Sequence, residues 1–249
     1  MSILEGKIAL VTGASKGIGA GIAKELASCG AAVAVNYATS REGADRVVAE
    51  IRSQGGKATA VQGDVSKATD VDRMFAEATS ALGRIDILVN NAGRFVLGPL
   101  DTFTEETYRH NFDTNVLGLL LATKRAVAQF GPEGGAIVNI GSSITRNPTP
   151  FGLGYGASKA GVDYITKALS IELGPKKIRV NAVLPGMTET EGAHAVGAME
   201  KEVVSSFIAR TPLGRTGQPA DVAKVVAFLA SDDAHWVTGE LLAATGGIY

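Results

Sequence analysis

Ile8-Ala-Leu-Val-Thr-Gly-Ala-Ser-Lys-Gly-Ile-Gly19 is the stretch that decides the fold. Its first half, Ile8–Thr12, is a short apolar run rich in β-formers. Its second half places Gly13, Gly17 and Gly19 just ahead of a helical apolar pattern over Ile18–Cys29. That order reads as strand, tight turn, helix. Gly17 and Gly19 let the backbone approach an anion at the helix N-terminus, where free N–H groups and the helix dipole favour negative charge such as a pyrophosphate. The spacing is Gly-x3-Gly-x-Gly rather than Gly-x-Gly-x2-Gly, and a glycine-rich turn can also be a plain strand-to-helix connection.

The same alternation continues along the chain. Further strands are expected at Ala32–Tyr37, Ala58–Gln62, Ile85–Asn90, Ala136–Ile140, Ile178–Leu184 and Leu241–Ala244. Helical patterns fill the gaps at Arg41–Ser53, Thr69–Leu82, Glu105–Phe130, Tyr155–Leu173 and Ala220–Leu229. The strands are continuous apolar runs, as expected where helices cover both faces of a parallel sheet. Repeated β–α units with right-handed crossovers give an α/β, doubly wound sheet. No linker, repeat or low-complexity segment divides residues 1–249, which read as one domain.

Composition narrows the partners. With 45% apolar and 20% charged residues the chain has globular character, and its formal net charge of −1 supplies no electrostatic pull toward nucleic acid or an anionic membrane. Cys29 is the single cysteine, so no intrachain disulfide is possible, and its apolar helical setting suits a small core residue. His110, His194 and His235 are scattered and no metal-ligand cluster appears. Met1–Lys7 lacks a signal-peptide core and no apolar run reaches spanning length, so a cytoplasmic protein is expected.

Ligands of such sheets bind beyond the carboxyl ends of the strands. The second strand ends in Asn36-Tyr37, where a dinucleotide site for NAD commonly carries Asp or Glu on the ribose 2′-hydroxyl. Without that carboxylate, and with Lys16 and Arg41 nearby as cations, NADP(H) is the expected cofactor and NAD(H) the alternative. Thr39 and Glu42 also fit a capping box for the helix at Arg41. Asp64-Val65 follows the third strand and Asn90-Asn91-Ala92-Gly93 the fourth, and either group can line a cleft or simply close a loop. Gly141-Ser142-Ser143 ends the fifth strand. Asn115, a poor helix former in mid-helix, has either a polar task or an exposed surface position. Tyr155 and Lys159 are four residues apart on a helix, which puts them on one face. A phenol with a pKa near ~10 is only about one part in a thousand ionised at pH 7, and a neighbouring cation favours the phenolate. The pair is a candidate acid/base for an alcohol oxygen.

In order and spacing, Thr12-Gly-Ala-Ser-Lys-Gly-Ile-Gly19, Asp64-Val65, Asn90-Asn-Ala-Gly93, Asn115, Ser142, Tyr155-x3-Lys159 and Pro185-Gly186 resemble the classical short-chain dehydrogenases/reductases, over essentially the whole chain. Members of the 3-oxoacyl reductase and glucose dehydrogenase kinds are similar. The resemblance implies a single-domain Rossmann-type fold with seven parallel strands and a catalytic tetrad of Asn115, Ser142, Tyr155 and Lys159. It implies cofactor contacts from Gly13, Ser15, Lys16, Gly17, Ile18 and Gly19, from Asn36, Tyr37 and Arg41, and from Asp64 and Val65. Asn91, Ala92, Gly93, Tyr155, Lys159, Pro185 and Gly186 complete them, with Thr188 on the nicotinamide carboxamide. It also suggests a homotetramer built on Glu105–Phe130, Tyr155–Leu173 and the segment Val237–Tyr249.

On this reading Ser142 polarises a substrate carbonyl, Tyr155 protonates its oxygen, and Lys159 lowers the Tyr155 pKa and holds the nicotinamide ribose. Asn115 connects Lys159 to solvent through water. The expected activity is reduction of a ketone or 3-oxoacyl compound; a sugar or polyol dehydrogenase and a non-catalytic dinucleotide-binding scaffold are the alternatives. The expected substrate is a free small molecule, because Lys176-Lys177 is the only local basic cluster for an acidic carrier protein. Arg94–Pro99, Ile144–Gly154 and Met187–Arg210 should overhang the cleft, the last as a lid. Phe95, Phe151 and Met187 could form an apolar wall, with His194 and Glu191 as polar recognition, although core or surface roles serve equally well.

Overall fold

The computed structural model describes residues 2–195 and 197–248. Met1, Val196 of the expected lid and Tyr249 of the expected C-terminal contact segment lie outside the described residues. Seven strands, β1 (Ile8–Val11), β2 (Ala32–Tyr37), β3 (Ala58–Gln62), β4 (Ile87–Asn90), β5 (Gly135–Ile140), β6 (Ile178–Pro185) and β7 (Leu241–Ala244), form one sheet in the order β3-β2-β1-β4-β5-β6-β7. Every pairing is parallel. The chain therefore has the Rossmann-type doubly wound α/β fold.

The period of two along each strand distributes side chains to two cores. Ala9 and Val11 of β1, with Val33 and Val35 of β2, join one core with α1 (Gly17–Ser28), α2 (Arg41–Ser53) and α9 (Pro219–Ala230). Leu10, Ala34 and Leu88 join the other, with Met74 and Phe75 of α3 (Ala68–Leu82) and Ala122 and Ala126 of α5 (Leu119–Val127). Both faces are covered, which is why the strands carry no polar alternation. The sheet order reverses between β1 and β4, and a crevice opens there at the carboxyl ends of the strands. Among the described residues no helix is long and apolar enough to cross a membrane.

Several expectations need correction. The helix expected over Glu105–Phe130 is α4 (Glu105–Phe112), a π-helical stretch Asp113–Gly118, and then α5. The wider turn falls on Asn115, and π-turns inside helices commonly mark functional positions. The residues Thr39 and Glu42 do not cap α2: its N-cap is Ser40, with no side-chain capping bond. A capping box does occur on α9, between Gln218 and Asp221. Helix α6 spans Leu153–Leu173, so Tyr155 lies in its first turn. Within the expected lid are two short helices, α7 (Glu191–Ala195) and α8 (Lys201–Arg210).

Candidate active site

The glycine turn is locked from three sides. The Thr12 hydroxyl accepts hydrogen bonds from the backbone N–H groups of Asn91 (2.9 Å) and Ala92 (3.0 Å), tying the end of β1 to that of β4. Asn91 Nδ2 donates to the Thr12 and Gly13 carbonyls at 2.9 and 3.0 Å. Gly13 and Gly17 have φ of +62° and +56°, a region that favours glycine. A Cβ at Gly19 would lie 2.4 Å from both Asn91 Nδ2 and the Gly13 carbonyl oxygen, so this position must stay bare. The result is a backbone-lined cradle at the N-terminus of α1, which fits a dinucleotide diphosphate. Ser15 and Ile18 belong to the same turn, and Lys16 is exposed as the N-cap of α1.

The Asn36 side chain does not face a ribose. It is 1% exposed; its Oδ1 accepts from Gly13 N–H at 3.0 Å, and its Nδ2 donates to the carbonyls of Val61 (3.3 Å) and Gly63 (3.1 Å). Asn36 is a clamp between β2, β3 and the glycine turn. Tyr37 is also buried, whereas Ala38, Thr39, Ser40 and Arg41 are exposed beyond β2. Arg41 pairs on the surface with Asp45 at 3.5 Å. The Asp64 carboxylate accepts from Ser66 N–H (3.0 Å) and Oγ (2.7 Å), closing the turn after β3, while Val65 is buried against Gly118.

The four expected catalytic residues come from three segments, Tyr155 and Lys159 sharing α6. Ser142 follows β5 and caps a single 3₁₀ turn, Ser143–Thr145. Its hydroxyl accepts from Ile144 N–H at 3.3 Å and stands beside the Tyr155 phenol, whose pKa it pulls down. Lys159, one turn further along α6, is 5% exposed; its Nζ donates to the Ile140 carbonyl at 2.7 Å and lies 5.9 Å from the Tyr155 ring centroid. Asn115 is buried in the π-turn. Its Oδ1 accepts from Arg94 N–H (2.8 Å), while its Nδ2 donates to the Arg94 carbonyl (2.8 Å) and to Ser158 Oγ (2.9 Å). It thus pins the loop after β4 to α6 and makes no direct hydrogen bond to Lys159 among the described residues.

Electrostatics correct one further expectation. Burial pushes the Tyr155 phenol above its ordinary pKa, with the Ser142 hydroxyl pulling the other way. Lys159 does not hold it down here. Burial instead lowers Lys159 itself to about 8, opposed by the charge of Asp163 one turn on.

These groups open onto a cleft of about 520 Å³, within the range of small-molecule sites. Gly93, Pro185, Gly186 and Thr188 line it beside the glycine turn. So does Thr190, which the motif reading missed: its side chain packs against Gly17, from the far end of the chain. On the far wall are Phe95, Met187, Ile144 and Phe207. The expected wall residue Phe151 is 60% exposed and does not line the cleft. His194 turns to Glu189 at 3.4 Å, and Glu191 accepts from Gly17 N–H at 3.0 Å, so neither lines the substrate side. Arg210 of α8 does.

A family model described as enoyl-(acyl carrier protein) reductase matches residues 13–249. An uncharacterised oxidoreductase of Methylorubrum extorquens is 54% identical over 248 residues, with 100% of each chain covered. A hydroxynaphthalene reductase-like protein of Metarhizium guizhouense is 40% identical over 256 residues, covering 98% of this chain and 95% of its own. The crystal structure of the angucycline C-6 ketoreductase LanV with bound NADP superposes with a TM-score of 0.92 at 38% identity, over 99% of this chain and 97% of that one.

Proposed function

The chain belongs to the short-chain dehydrogenase/reductase family and is an NAD(P)-dependent oxidoreductase, and on that premise we propose that it reduces a free ketone to a secondary alcohol with NADPH. The observation that carries this reading is that Ser142 and Tyr155 line one wall region of the same cleft, with Lys159 buried beside them. Two hydroxyls converging on one point suit a carbonyl oxygen, where negative charge grows during reduction. Nicotinamide, when bound, supplies the hydride to the carbonyl carbon.

The protein's own residues place the substrate and manage its proton. Ser142 donates to the carbonyl oxygen and Tyr155 delivers the proton to it. Burial keeps the phenol protonated at neutral pH, loaded for donation. Lys159, tethered to the Ile140 carbonyl, sets a cation beside the phenol ring and would hold the nicotinamide ribose. Asn115 holds the Arg94 backbone and Ser158 in place, which keeps the β4 loop against α6.

The preference for NADPH is supported by the absence of a carboxylate at the end of β2, by the exposed Lys16 and Arg41, and by the NADP bound to LanV. The 2′-phosphate would meet the exposed residues after Tyr37 rather than Asn36. The loss of general acid catalysis tests the proposal. Tyr155→Phe should bind NADPH normally and reduce ketones at least about a hundredfold more slowly. Near-normal turnover of that variant would refute it.

A further inference from the structure

We infer that Arg210 recognises an acidic oxygen substituent, a carboxylate or an ionised phenol, on the ketone that this cleft reduces. The inference rests on the carbonyl-reduction reading above and adds the substrate's charge to it.

The cleft has an uneven charge lining. Its charged lining residues are Arg94, Lys159 and Arg210, and no Asp or Glu lines it among the described residues. Lys159 is accounted for, bound to the Ile140 carbonyl beside Tyr155. Arg94 makes no ion pair among the described residues, but it also lines a neighbouring recess that holds Asp64 and Asp113. Arg210 lines no recess with acidic residues. Its guanidinium carbon stands 5.0 Å from the Phe207 ring centroid, and its one hydrogen bond among the described residues runs from Nε to the Ser206 carbonyl at 3.3 Å. It forms no ion pair among those residues.

The acidic residues where the expected lid begins are already engaged. Glu189 accepts from Gln218 Nε2 at 2.9 Å and meets His194, while Glu191 accepts from Gly17 N–H. A planar guanidinium whose outer nitrogens lack protein partners, next to an aromatic ring and above an apolar wall, matches a carboxylate or phenolate oxygen in charge and hydrogen-bonding geometry. Ser142 and Tyr155 take the carbonyl, and Arg210 takes the second, charged end. Two anchored points fix which face of the ketone meets the hydride donor.

Matched pairs of ketones test the inference at pH 7. Benzoylformate is compared with its methyl ester, and 4-hydroxy-3-nitroacetophenone, ionised at that pH, with its methyl ether. The wild-type protein should favour the ionised member of at least one pair in kcat/KM. Arg210→Met should lower kcat/KM for that ketone at least about tenfold, mainly through KM, because a hydrogen bond to a charged group is worth that much or more. The neutral partner should change less than about twofold, and Arg210→Lys should restore part of the loss. A loss confined to the carboxylate pair assigns a carboxylate, and one confined to the phenol pair assigns a phenolate. NADPH titration of each variant checks that the fold is intact. Equal use of charged and neutral ketones, or parallel losses in Arg210→Met, would overturn the inference. Turnover of none of the four ketones, the neutral ones included, would refute carbonyl reduction and this inference with it.

Discussion

An Asn36→Asp substitution is isosteric and installs, at the end of β2, the carboxylate with which NAD sites commonly hold a ribose hydroxyl. By motif logic it should swing the preference toward NADH. The geometry predicts a different outcome. Asn36 Nδ2 donates to the Val61 and Gly63 carbonyls in a site 1% exposed, and Oδ1 accepts from Gly13 N–H. A carboxylate keeps the last bond, but its second oxygen then faces two carbonyl oxygens with no proton between them. Each orphaned acceptor costs about 1–3 kcal/mol, giving roughly 2–6 kcal/mol before any penalty for burying the charge. That is a large share of the about 5–15 kcal/mol that stabilises a typical domain. At about 2–4 °C per kcal/mol for a chain of this size, the melting temperature should fall by roughly 5–20 °C. Calorimetry at pH 7 measures the fall, and kcat/KM for NADPH and NADH measures the preference. The deficit should shrink in acid, because protonating the new carboxyl restores one donor. A variant that melts within about 2 °C of the wild type and prefers NADH would refute the reasoning.

Other tests address the catalytic pair, the cradle and the surface. Because burial lowers Lys159 to about 8, its ammonium is lost as pH rises through that value, so kcat/KM for ketone reduction should fall on an alkaline limb near pH 8. Asp163 opposes that lowering, so Asp163→Asn should move the limb to lower pH; an unmoved limb in a pH-rate profile would count against the coupling. Glu191 sets a carboxylate on the Gly17 N–H at the start of α1, where a diphosphate is expected. Glu191→Gln should therefore tighten NADPH binding by about two- to fivefold, since a charge at a helix N-terminus is worth about 0.3–1 kcal/mol; fluorescence titration showing equal or weaker binding would exclude competition. We also propose a homotetramer built on the Glu105–Phe130 segment, α6 and the C-terminal segment; Leu117 of the π-helical stretch, Leu120 of α5, and Tyr164 and Ile171 of α6 are exposed, the last two at 75% and 79%. Sedimentation should show a tetramer that Tyr164→Glu with Ile171→Glu dissociates, and a monomeric wild type would dismiss it.

The fold was legible because its signals are local. Apolar runs of strand length and the positions of Gly13, Gly17 and Gly19 carry their meaning within a few residues. Tyr155 and Lys159 share a face through helical periodicity alone, and they stand together on α6. The helix through Asn115 misled for the complementary reason. Its apolar spacing continues across Asp113–Gly118, while the widened turn depends on bonds to Arg94 and Ser158, which are 21 and 43 positions away. Phe151 looked like a wall residue by composition, yet it sits at φ +66° with its side chain 60% exposed.

By itself the sequence determined the parallel sheet, the glycine turn at the head of α1 and the shared helix face of Tyr155 and Lys159, all set by side-chain period and backbone freedom over short spans. Tertiary structure alone decided which polar groups remained available for chemistry. Buried donors and acceptors must be paired, and their partners arrive from distant strands and loops. Asn36 is consumed by Gly13, Val61 and Gly63, and Glu191 by Gly17, whereas the outer nitrogens of Arg210, a residue that lines the cleft, have no partner among the described residues.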